Sequence, residues 1–222
     1  MKMWKRTIPS VILLTLLAPI FTLWAEDQPK PKMLEIPDML EWKSIRSTVV
    51  SNNGEWLAYG IFPAEGNGQV IIKNLPGTKA DTFAVGSSGS RIAFSDDSRW
   101  AAFSILPKFK ELKKLKKQKE KAYNKLALIN LKTGAKTEFE KIKRFSFSKE
   151  NPDWLAMQKY VAESQSKAKE KWKGSDLLLY ELASGKTLNI GNVAEFSFNK
   201  KGTFLAWIID AFDKSGNGVQ IR

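Results

Sequence analysis

The chain has 222 residues, 43% of them hydrophobic and 27% charged, with a net charge of +13. That is long and apolar enough for one sizeable domain or two small ones. It contains no cysteine and no histidine, which excludes disulfides, thiolate nucleophiles, Cys- or His-ligated metals and every Ser-His-Asp or Cys-His catalytic arrangement.

Residues 1–25 read as a secretory signal peptide. Lys2, Lys5 and Arg6 form a basic start, Ile8 to Trp24 is uncharged and apolar, and Ala25 is small enough for a cleavage site. The apolar stretch contains Pro9 and Pro19 and is short for a membrane span. Export without cysteines fits a bacterial periplasm or exterior. Residues 26–41, rich in Pro and Lys at their start, are expected to form an extended lead-in to a domain at 42–222.

That domain is repetitive. VVSNNGEWLAYGI, AFSDDSRWAAFSI, SFSKENPDWLAMQ and SFNKKGTFLAWII align on Ser51, Ser95, Ser148 and Asn199. The motifs lie near 50–59, 94–103, 147–157 and 198–207. Each unit predicts a hairpin. Val50, Phe94, Phe147 and Phe198 end one strand, a polar turn follows, and Trp56, Trp100, Trp154 and Phe204 open the return strand. Ala58, Ala102, Ala156 and Ala206 are small, as close sheet packing requires. A second hairpin follows in the first three units, with Gly77, Gly134 and Gly185 expected at equivalent turn positions. Eight Trp and thirteen Phe supply a β-rich core. Four strands per repeat of this length make an all-β fold, a β-propeller.

The units differ most between their second and third strands, so these insertions should emerge at one end of the blades. Unit two inserts PKFKELKKLKKQKEKAYN. Nine lysines from Lys108 to Lys125, against Glu111 and Glu120, give the stretch 108–125 a charge of +7. Phe109, Leu112 and Leu115, three apart, predict a helix with a narrow apolar stripe. The simplest reading is a solvated helix; the other is contact with an acidic partner, a membrane surface or a substrate carboxylate. Charge concentrated in one insertion argues against a nucleic-acid surface. Asp96 and Asp97 are adjacent carboxylates, but they sit in a hairpin turn, where Asp serves the backbone.

DKSGNGVQIR near Arg222 aligns with PAEGNGQVIIKNL of unit one. The sequence is therefore expected to stop within the third strand of a fourth blade. Three and a half blades make an incomplete ring with open faces and edges. The expectation is the front part of a longer protein, aggregation-prone when made alone.

The run MLEWKSIRSTVVSNNGEWLAYGIFPAEGNGQVIIKNL resembles the start of exported bacterial peptidases of the prolyl oligopeptidase family. The resemblance rests on Trp42, Ile45, Ser51, Gly54, Trp56, Tyr59, Pro63 and Gly66-Asn67-Gly68. The turns SNNG, SDDS, SKEN and NKKG depart from the family's Ser-Pro-Asp-Gly. The resemblance implies an N-terminal propeller that restricts peptide access to a C-terminal α/β-hydrolase with its Ser on a Gly-x-Ser-x-Gly elbow. This sequence has no such elbow and no His. It therefore carries no catalytic residue of the family, and no cofactor or metal is expected. Peptide substrates would be engaged through a hydrolase domain absent from this chain. The alternative is a stand-alone periplasmic TolB-like propeller serving as a binding scaffold.

Overall fold

A computed structural model describes residues 33–87, 89–162, 172–214 and 216–222. The signal peptide, residues 26–32 of the lead-in and most of the third insertion lie outside the described residues. The chain divides into two units, Met1–Glu35 and Ile36–Arg222, and the second carries every element described below.

It begins with a short helix, α1 (Ile36–Glu41), which corrects the expectation of an extended lead-in up to residue 41. Pro37 and Asp38 suit a first helical turn, where an N–H is unpaired and negative charge is favoured.

Three antiparallel sheets follow. The first is β1 (Lys43–Val50), β2 (Trp56–Pro63), β3 (Gly68–Asn74) and β4 (Ala80–Gly86). The second is β5 (Ile92–Phe94), β6 (Trp100–Ile105), β7 (Lys125–Asn130) and β8 (Lys136–Phe139), with α2 (Phe109–Gln118) between β6 and β7. The third contains β9 (Ile142–Phe147), β10 (Trp154–Lys159), β11 (Ser175–Glu181), β12 (Thr187–Phe198), β13 (Leu205–Ile209) and β14 (Gly218–Ile221). Strands neighbour in chain order throughout, the up-and-down pattern of propeller blades. The third sheet is two blades in one. β12 pairs with β11 through Thr187–Val193 and with β13 through Val193–Phe198, closing blade three and opening blade four. The ring does not close.

The repeated motif is a hydrogen-bonded turn. The backbone N–H of Trp56, Trp100 and Trp154 donates to the Oγ of Ser51, Ser95 and Ser148 at 3.0, 3.0 and 2.9 Å. In blade four the Phe204 N–H donates to Asn199 Oδ1 at 3.1 Å, so Asn replaces Ser through the same acceptor chemistry. The turn also needs a left-handed residue: Gly54 and Gly202 take it at φ +72° and +70°, Ser98 at +58°.

In the second hairpins, Gly134 and Gly185 donate to the carbonyls of Asn130 and Glu181 and have positive φ. Gly77 does not share this role. Asn74 closes its turn on Lys79, as Asn130 does on Ala135, so the position matching Gly134 is Thr78.

Each sheet has a rear face toward the preceding blade and a forward face toward the next. Three apolar clusters fill the three interfaces. Ala58, Phe62, Val70 and Ile72 of blade one meet Ala101, Phe103, Ala127 and Ile129 of blade two. Ala102, Leu126 and Leu128 meet Phe145, Phe147, Leu155 and Met157. Ala156, Leu177 and Leu179 meet Val193, Leu205 and Trp207. The motif alanines of the first three blades are fully buried, because the facing sheet leaves no room for more than a methyl group.

Candidate functional site

The second-to-third connections lie at the end of each sheet opposite the Ser turns, and neighbouring connections touch across each blade boundary. Between blades one and two, Asn67 Oδ1 accepts from the Phe109 N–H at 2.8 Å. The helix α2 has Lys108 at its N-cap with no side-chain cap of its own, so blade one supplies that acceptor. Lys113 pairs with Glu65 at 3.5 Å and sits 4.4 Å from the Phe109 ring centre. Phe109, Leu112 and Leu115 are half-buried while the rest of α2 is exposed, so the predicted stripe faces the propeller and the lysines face water.

Between blades two and three, Tyr123 and Tyr160 meet edge to face at 5.0 Å, with the Lys141 ammonium 5.1 Å from the Tyr123 ring. Between blades three and four, Trp172 and Phe212 meet edge to face at 5.0 Å. There the Lys173 N–H donates to Asp210 Oδ2 at 2.7 Å. The Lys214 ammonium and the Asn217 amide also donate to Asp210, which holds its carboxyl below the ordinary aspartate range, with the Lys214 hydrogen bond the largest cause. The result is a continuous rim along four blades. A groove in it, lined by Ile105, Pro107, Glu111, Tyr123, Lys125 and Glu138, carries both signs of charge beside an aromatic ring.

Among the described residues no three Asp or Glu carboxylates cluster to hold a metal. Asp97 is committed to its turn. Burial pushes its carboxyl up, but hydrogen bonds from Ser95 and from the Arg99 side chain and N–H, with the Arg99 charge, outweigh that and hold it below the usual value. No helix among the described residues is long and apolar enough to cross a membrane.

A second unassigned surface is the forward face of blade four. Val219 and Ile221 are 67% and 68% exposed, whereas Val70 and Ile72 at the same register in blade one are 0% and 1% exposed. Phe204 and Ile208 are also exposed there.

The capping role of Asn67 and the tyrosine pair escaped the sequence reading. Both are contacts between distant residues, with no local pattern to announce them.

No family model and no curated protein matches this sequence. Solved structures do match. The β-propeller domain of the Trilobed protease from Pyrococcus furiosus superposes with a TM-score of 0.50 at 12% identity, over 81% of this chain and 54% of that one. A prolyl endopeptidase structure gives 0.50 at 12%, over 83% and 28%. The Pyrococcus horikoshii acylaminoacyl peptidase gives 0.50 at 12%, over 82% and 31%. This chain thus spans about half of the first and under a third of the others. At this identity the likeness establishes architecture, and with the sheet order it establishes that the chain is an incomplete β-propeller of three full blades and part of a fourth.

Proposed function

We propose that this chain is the substrate-gating, N-terminal propeller part of an exported serine peptidase resembling the prolyl oligopeptidase family. The α/β-hydrolase that cuts the peptide lies outside these residues. The rim carries this reading: four blades send their second-to-third connections to one end, and neighbouring connections are tied to one another across each interface. A collar of this kind admits extended peptides and excludes folded chains. The sequence motifs around Trp42 and Ser51 and the fold likeness to propellers of named peptidases support the same reading. The solvent-facing lysines of α2 would raise the local concentration of acidic peptides, an effect that weakens with salt. Residues 1–25 would direct export, and the mature protein would be periplasmic or extracellular.

The test is peptide hydrolysis by the intact peptidase with and without residues 108–121. Removing the α2 excursion should raise kcat/KM for long peptides and leave a short chromogenic substrate unaffected. Equal effects on both would sink the gating role. The purified 222-residue chain should hydrolyse neither substrate, and turnover by it would refute the assignment of catalysis to another domain. Fusing residues 1–25 to a phosphatase that is active only outside the cytoplasm tests export; a silent fusion counts against it.

A further inference from the structure

One register position on the first strand of every blade is charged. Arg46 lies opposite Gly60, Arg144 opposite Gln158 and Glu195 opposite Ile208. Arg91 holds the matching place in blade two, its carbonyl accepting from the Ser104 N–H. Arginines in three successive blades are thus followed by a glutamate.

The first strands are also where neighbouring blades converge. β1 lies against β5. The Arg91 guanidinium sits 5.3 Å from the ring centre of Phe145 in β9, and that of Arg144 sits 4.6 Å from the ring of Phe196 in β12. In a propeller the strands that converge surround a central channel, so Arg46, Arg91 and Arg144 stand along one stretch of its wall. Arg46 and Arg91 are exposed and Arg144 is half-buried.

The three charges are unanswered. Among the described residues no carboxylate pairs with any of them. Arg46 Nε donates to the neutral Ser44 hydroxyl at 3.0 Å. Arg144 Nε donates to Gln158 Oε1 at 2.7 Å, and Gln158 Nε2 is anchored on the Val193 carbonyl at 2.7 Å. Arg144 Nη2 is enclosed, with no acceptor among the described residues. A partly desolvated cation without a counter-charge is unfavourable, and an anion beside it offsets that cost. The aromatic seats restrain Arg91 and Arg144, so less freedom is lost when they take a ligand. A guanidinium fork matches a carboxylate bidentately.

We propose that Arg46, Arg91 and Arg144 form an anion-binding arc on the channel wall that takes a carboxylate of a peptide, at its C-terminus or on an acidic side chain. Glu195 ends the arc, because its charge repels the same group. The choice of a peptide as the source of the carboxylate rests on the peptidase reading above. The lysines of α2 belong to the rim and serve as a control.

The test measures binding of dansyl-labelled, alanine-rich peptides to the full 222-residue chain by fluorescence anisotropy. One peptide has a free C-terminal carboxylate and one is its amide; a second pair of amides carries an internal Asp or Asn. The free acid, the Asp peptide or both should bind about tenfold more tightly than the matching neutral peptide, and which does so names the source of the carboxylate. Arg46→Gln and Arg91→Gln, both at exposed positions, and Arg144→Gln should each erode that preference without changing the binding of neutral peptides. Arg91→Lys should keep the charge but lose the fork, and so retain only part of the preference. Lys116→Gln with Lys117→Gln should leave it intact. Equal binding of acidic and neutral peptides, a preference that survives the arginine variants, or one lost with the lysine variants overturns the proposal. In the intact peptidase the arginine variants should raise KM for carboxylate peptides alone, and an equal rise for neutral ones overturns it. Hydrolysis by the unmodified peptidase decides the peptidase reading separately: carboxylate-dependent binding without hydrolysis leaves the arc standing and removes that reading.

Discussion

Ile72 and Ile221 occupy the same place in two blades, opposite the motif alanines Ala58 and Ala206, yet they are 1% and 68% exposed. Truncating each to alanine separates burial from sequence. In blade one the change opens a cavity between two packed sheets and should cost about 2–5 kcal/mol. At about 2–4 °C per kcal/mol for a chain of this size, that lowers Tm by about 4–20 °C. Ile221 faces water, and its truncation should stay within about 0.5 kcal/mol, under about 2 °C. Calorimetry of both variants with parallel urea titrations measures the difference. If Ile221→Ala destabilises as much as Ile72→Ala, the forward face of blade four is covered in solution and the open-ended description is wrong.

Three further outcomes are expected. Gly202 and Gly54 share a left-handed backbone, but a Cβ on Gly202 would lie 2.2 Å from the Ser148 carbonyl oxygen while one on Gly54 meets nothing within 4 Å. Gly54→Ala should therefore cost about 1–2 kcal/mol of backbone strain, and Gly202→Ala clearly more in the same urea titration. The Asp97 carboxyl is held below its ordinary pKa in the folded chain, so its contribution is present above the unfolded value of 3.8 and is lost as pH falls through the lower native value. Asp97→Asn should lack that part of the acid limb in a stability-against-pH series, and an unchanged limb would contradict the hydrogen-bond assignment. Asn67→Ala removes the acceptor at the start of α2. Amide exchange over Phe109–Gln118 should quicken by about fivefold, matching about 1 kcal/mol for a lost cap, with blade-core amides unaffected.

Much of this architecture was legible in the sequence because the motif is local: a Ser or Asn acceptor, a turn and a large side chain five or six residues on. The half-buried stripe on α2 was legible for the same reason, since helical spacing alone generates it. The charged register was not. Arg91, Arg144 and Glu195 each precede the motif residue by four, but Arg46 precedes Ser51 by five. The bulge in β1 absorbs the extra residue, so only the strand pairing aligns the four. Gly77 misled in the opposite direction. Its neighbourhood looks like the other glycine turns, but Pro76 precedes it and the turn closes one residue out of step. In the candidate site, the insertions were recognisable by length and charge, while the contacts that join them into a rim are tertiary.

The long strand β12 has a mechanical consequence. Blades one and two are joined by the short connection between β4 and β5, residues 87–91, and blades two and three by Glu140 and Lys141. Blades three and four share unbroken strand backbone, with only Asn192 at positive φ where the chain bends from one partner to the other. Separating the first three blades requires rotation about a few connecting bonds. Parting blades three and four would strain the pairing at Val193, the one residue of β12 that both β11 and β13 share. Any breathing that widens a path through the propeller should therefore be concentrated at the first two seams, with blades three and four swinging as one rigid leaf.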